Sequence, residues 1–212
     1  AKHVRDQALR ANAICAVLTR TDRILTGHKN LTVVTKNLGY GGAPSYTDGR
    51  EIVISSQHIP LSFDAHQLVG VLGLNYHELA HVFYSPIARN HPIHDQIRIL
   101  TMIKRENSGK SDVIYWDTHS ALNILEDQRI ERLMIAQWPS TQPYFVHTVA
   151  THILNNSETI KTQFPLVSSR YYLGQDIINS VYAEAKVKTS TEALDAIQAV
   201  SDEYLNIAFP QD

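Results

Sequence analysis

His77, Glu78 and His81 are the residues of this chain best placed to do chemistry, in the run His77-Glu78-Leu79-Ala80-His81. Histidines four apart on a helix stand on one face, one turn above the other. Their imidazoles can then share one divalent ion, and a glutamate directly after the first histidine can reach a water on that ion. The chemistry this permits is hydrolysis, with the ion acidifying a water and Glu78 taking its proton as general base. Leu72, Leu74, Leu79, Val82 and Phe83 around the motif are apolar, which predicts a buried helix rather than a solvated face. Two buried imidazoles beside a buried carboxylate need partners, and a metal ion supplies them.

A catalytic zinc takes three protein ligands and leaves one position open. The segment Asn123-Ile124-Leu125-Glu126-Asp127-Gln128-Arg129-Ile130-Glu131 sets several carboxylates on a second helix. Glu126, flanked by Leu122, Leu125 and Ile130, is the first choice for the third ligand. Asp127 is its competitor, only about 100° further round the helix. A developing oxyanion needs a donor besides the metal. Tyr84, on the His77 face of its helix, His119, two turns before Glu126, and Arg129 are the candidates. His91 and His94 read as loop histidines bordering the cleft. His147 and His152 do not share a helical face and read as structural. Cys15 lies in an apolar pattern with no activating neighbour, so nucleophilic thiol chemistry is not supported.

The stretches HELAHVFYSP and NILEDQRIE together resemble the zincin peptidases with a glutamate third ligand, the gluzincins. More narrowly, they are similar to the metallopeptidase-like regions found beside von Willebrand A-type domains in bacterial and phage proteins, including subunits related to cobalt chelatase. The likeness covers about residues 45 to 135. It implies one Zn²⁺ held by His77, His81 and Glu126, Glu78 as general base, and a polypeptide substrate. It also implies an edge strand above the motif helix that binds substrate backbone; the turn Tyr46-Thr47-Asp48-Gly49 and the strand 51–55 stand at that place. One position departs from the family. Gluzincins commonly carry an Asp four residues after the third ligand, and Ile130 stands there. Either Asp127 with Glu131 forms the ligand and its orienting partner, or Arg129 and Glu131 organise the site differently. The resemblance also admits a second function: a non-catalytic binding or assembly module acting with a von Willebrand A-type domain or an ATPase partner. An intact Glu78 favours the enzyme, because assembly does not need that carboxylate.

These residues must be carried by a fold, and 212 residues suffice for one domain: a sheet and motif helix over 1–85, an insert over 86–116, and a helical part over 117–212. Helices are expected over 5–20, from a cap at Ser62 or Asp64 to Tyr84, over 118–136, from Ser140 and Pro143 to Asn155, and over 167–186 and 190–208. Strands are expected over 31–37 and 51–55, and the glycines 39, 41 and 42 mark a loop. The expected class is α+β, mostly α and zincin-like, with a small N-terminal sheet over the motif helix. A net charge of −2 gives no basic footprint for nucleic acid. One cysteine excludes an internal disulfide framework, and no apolar run is long enough to span a membrane. The first residues lack the apolar stretch of a signal peptide, which makes the cytoplasm the expected compartment.

Overall fold

Twenty-five residues of helix open the chain, because apolar side chains recur at the helical period along them. This helix, α1 (Lys2–Thr26), buries Ala11, Ile14, Cys15, Leu18 and the carboxylate of Asp22 on one stripe. It runs past the expected end at residue 20 and stops at Gly27, whose φ of 71° only glycine adopts freely. The Gly27 N–H closes the end on the Arg23 carbonyl at 3.0 Å. This is a computed structural model that describes residues 2–39, 42–60, 62–86 and 111–154 and the isolated helical positions 195 and 199. Most of the insert, the helix expected over 167–186, and all but positions 195 and 199 of the one expected over 190–208 lie outside the described residues.

Three strands follow: β1 (Thr32–Lys36), β2 (Ser45–Thr47) and β3 (Glu51–Ser55), in the order β1-β3-β2. β1 runs parallel to β3, with Val34 opposite Val53, and β2 runs antiparallel to it, with Tyr46 also opposite Val53. Ile52, Val53 and Ile54 have no exposed surface, as befits a strand paired on both sides and covered on both faces. The strand over 51–55 is therefore the centre of the sheet. The edge nearest the motif helix is β2, over residues where the sequence alone predicts a loop and a turn. The β2–β3 turn closes as Asp48 Oδ1 accepts from the N–H groups of Arg50 and Glu51 at 2.9 and 2.8 Å. Those two donors hold the Asp48 carboxyl below its ordinary range.

The motif helix is α2 (Ala65–Tyr84). Of the two expected caps, Asp64 closes it, accepting from His66 N at 2.9 Å. The helix ends at Ser85, ahead of Pro86, whose ring cannot continue it. Val71, Leu74, Asn75, Glu78 and Leu79 form its buried face. The helix α3 (Ser111–Gln137) packs on it and is longer than the expected 118–136. After a tight turn over Pro139–Thr141 comes α4 (Gln142–Val149), which runs on into one π-helical turn, Ala150–Leu154. Gly73 makes the α2–α4 approach possible: a β-carbon there would stand 2.1 Å from Thr148 Oγ1 and 2.7 Å from the Tyr144 carbonyl.

All six of these elements that bury apolar side chains share one core, from Ile14 and Leu18 through Ile52 and Ile54 to Leu79, Ile130 and Phe145. The class is α+β with helix dominant. Among the described residues, no helix is long and apolar enough to cross a membrane.

Candidate metal centre

His77 and His81 leave α2 one turn apart, with ring centroids 4.9 Å from each other and planes near perpendicular. Asp127 of α3 reaches both: its Oδ1 lies 3.3 Å from His81 Nε2 and 3.6 Å from His77 Nε2. The three side chains are half-buried and offer atoms all within 4.8 Å of one another.

The other nitrogen of each ring is committed. His77 Nδ1 lies 2.9 Å from Glu131 Oε1; a carboxylate can only accept, so Nδ1 carries the proton. His81 Nδ1 lies 2.8 Å from Ser85 Oγ, and the Ser85 hydroxyl donates to Glu126 Oε1 at 2.5 Å. With its hydrogen spent there, Ser85 accepts from His81 Nδ1–H. Both imidazoles thus commit Nδ1–H to these partners and turn Nε2, the nitrogen that would ligate once it is free of a proton, toward Asp127. Two such nitrogens and one carboxylate oxygen form a donor set that could hold a divalent cation.

The sequence favours Glu126 as third ligand; the structure gathers Asp127 beside the two histidines instead. Glu126 faces Arg129, whose Nε and Nη2 donate to its Oε2 and Oε1, both at 2.8 Å. Arg129 Nη2 also donates to the Tyr84 carbonyl at 2.6 Å, which ties α3 to the end of α2. The reason is rotational. Asp127, Ile130, Glu131 and Met134 share the stripe of α3 that meets α2, and Glu126, about 100° from Asp127, lies on its flank, where it meets Ser85 at the end of α2. The spacing of four that Ile130 breaks when counted from Glu126 is met by Glu131 when counted from Asp127. Glu131 accepts from His77 Nδ1–H and so orients that ring.

Tyr84, weighed as an oxyanion donor, gives its hydroxyl to Gln137 Oε1 at 2.5 Å. Arg129, weighed likewise, is buried and spends itself on Glu126 and Tyr84. His119 falls within α3, but its side chain lies outside the described residues. His91 and His94 also lie outside them.

Electrostatics favour a cation at this place. Burial works against a charged His77 and is the largest single influence. Asp127, Glu131 and Glu78 together outweigh it and push the imidazole up to about 9. A proton is therefore held where a metal's charge would fall, and ion and proton compete for the site.

The centre opens on a cleft of about 510 Å³, lined among others by Glu78, Tyr46, Val149 and His152. Glu78 is 4% exposed and stands on α2 beside His77. Ser85, behind His81, and His152, in the cleft lining, are site residues that the sequence does not single out. Ser85 carried one usable signal, a hydroxyl one turn after His81. His152 carried none, since its place in the cleft depends on how α4 packs. Comparison with protein-family models, curated proteins and solved structures finds no match to this chain.

Proposed function

We propose that this chain is a zinc-dependent metallopeptidase of zincin type, with His77, His81 and Asp127 as ligands and Glu78 as general base. The observation that carries the reading is the pair of Nδ1-anchored histidines converging on a carboxylate beside a buried, cleft-lining glutamate. Zinc bound there supplies a water acidified towards neutrality and a positive charge for the substrate carbonyl. Glu78 accepts the proton of the attacking water and passes it to the leaving amine. Glu131 and the Ser85–Glu126–Arg129 chain hold the two imidazoles in the ligating tautomer throughout. The strand β2 lines the same cleft through Ser45, Tyr46 and Thr47. It pairs with β3 on one side only among the described residues, so an extended peptide can add to its other edge.

The test is Glu78→Gln. The amide keeps the shape and removes the base, so zinc content should hold at one ion per chain while peptide cleavage falls ~10²- to 10⁴-fold. Cleavage at the wild-type rate would remove Glu78 from this role. Zinc retained by a wild type that cleaves no peptide would favour the assembly function in its place.

A further inference from the structure

We propose that His152 donates the hydrogen bond that holds the substrate's carbonyl oxygen as it becomes an oxyanion, and that His58 positions it by an edge-to-face ring contact. The inference rests on the peptidase reading and adds to it the donor that Tyr84 and Arg129, bonded to Gln137 and Glu126, do not supply.

Three independent observations place it. First, His152 lines the cleft that holds Glu78, His77, His81 and Asp127. Second, its ring stands edge-on to His58, centroids 4.8 Å apart and planes at 89°. His58 ends the tight turn Ser56–His58 that leaves the buried central strand, so the contact ties His152 to a rigid part of the fold. Third, His152 sits in the π-helical turn that follows α4. Such turns are rare and occur mostly at functional sites, because the extra residue re-aims the side chains that follow.

Competing donors in the cleft are fewer than its lining suggests. The Thr47 hydroxyl donates to the Glu51 carbonyl at 2.9 Å and that of Thr148 to the Tyr144 carbonyl at 3.0 Å. Asn123 is exposed and sits one turn before Asp127 on the ligand helix itself. His152 is half-buried, where a hydrogen bond to developing charge is worth more than in water.

Its charge state suits the task. Burial, then the neighbouring His58 and His147, bring the imidazole down to about 4, so the ring is neutral at pH 7 with one N–H to give. As the water oxygen adds to the peptide carbon, the carbonyl electron pair moves onto its oxygen. The water's proton goes to Glu78, and His152 keeps its own, sharing it as a hydrogen bond.

The experiment compares zinc-loaded wild type, His152→Ala, His152→Gln, His58→Ala and His58→Phe. Each is measured for zinc content, for kcat and KM on a peptide substrate, and for affinity for a phosphinic pseudopeptide, whose tetrahedral anion imitates the transition state. His152→Ala should keep its zinc, lose ~100-fold in kcat with KM nearly unchanged, and lose a similar factor in phosphinate affinity. His152→Gln, which retains an N–H donor, should recover part of both; it also serves if the alanine variant folds poorly. His58→Phe keeps a ring edge and should stay within a few-fold of wild type, whereas His58→Ala should lose kcat. Full kcat and phosphinate affinity in both His152 variants overturn the proposal and leave the peptidase reading standing. A zinc-loaded wild type that neither cleaves nor binds the phosphinate overturns both.

Discussion

Asp127 and Glu126 are neighbours with the same charge, yet the fold gives them different work. Asp127 closes on both Nε2 atoms, while Glu126 holds Ser85 and, through it, the tautomer of His81. Removing a ligand and removing an orienting acid have separable consequences. Asp127→Ala should lose stoichiometric zinc at micromolar supply. Glu126→Ala should still take up one ion, with affinity weakened ~10- to 100-fold. Metal analysis after equilibrium dialysis reads both, and loss of zinc only in Glu126→Ala would reverse the assignment. At this scale the sequence showed which side chains were eligible. It did not separate two acids one position apart, because the choice is a rotation of α3 about its axis.

Helix contacts decide how well the site is held, and two of them make predictions. At Gly73, α2 and α4 approach so closely that a methyl group would meet Thr148 Oγ1 and the Tyr144 carbonyl. Gly73→Ala should cost ~1–3 kcal/mol of stability in urea unfolding. On the peptidase proposal it should also reduce turnover, since α4 leads into the cleft wall that carries His152.

The second contact joins α1 to α2. Asp22 is fully buried, and Asn75 Nδ2 donates to its two oxygens at 3.2 and 3.1 Å. Burial raises the Asp22 carboxyl to about 7, against the lowering effect of Asn75. A protonated Asp22 would carry the donor that Asn75 Oδ1, a buried acceptor, has not found. The folded state thus binds the proton more tightly than the unfolded chain, whose carboxyl titrates at about 3.9. This contribution to stability is fully present below that value and is lost as pH rises through about 7. Asp22→Asn mimics the protonated acid. It should match wild type near pH 4 and exceed it at pH 8 by on the order of a few kcal/mol in urea unfolding. Equal stability at pH 8 would show that Asp22 carries no such charge penalty.

For the molecule as a whole, the centre joins α2 to α3, two helices whose shared core includes Leu79, Ile130 and Met134. An ion bound across them stabilises the folded state by mass action, about 4 kcal/mol at a thousandfold excess over its Kd. A chelator should therefore lower the thermal midpoint of wild type by several degrees and leave that of Asp127→Ala unmoved. The midpoint of wild type staying put would mean that no ion bridges the helices.

The strands show how legibility thins as contacts lengthen. β3 was readable from Ile52-Val53-Ile54, but its place as the central strand was not, because pairing order leaves no mark on a run so short. β2, three residues long, has no period to detect, and it is the strand that borders the cleft. What the chain alone determined is local: helix-forming stretches, their caps, and two histidines whose spacing of four puts them on one face whatever surrounds them. What tertiary structure decided is convergence. Asp127 over Glu126, Glu131 behind His77, Ser85 behind His81, and His152 beside His58 all depend on which stripe of one helix meets another. That choice is made by burial of the whole core, so no single segment carries it.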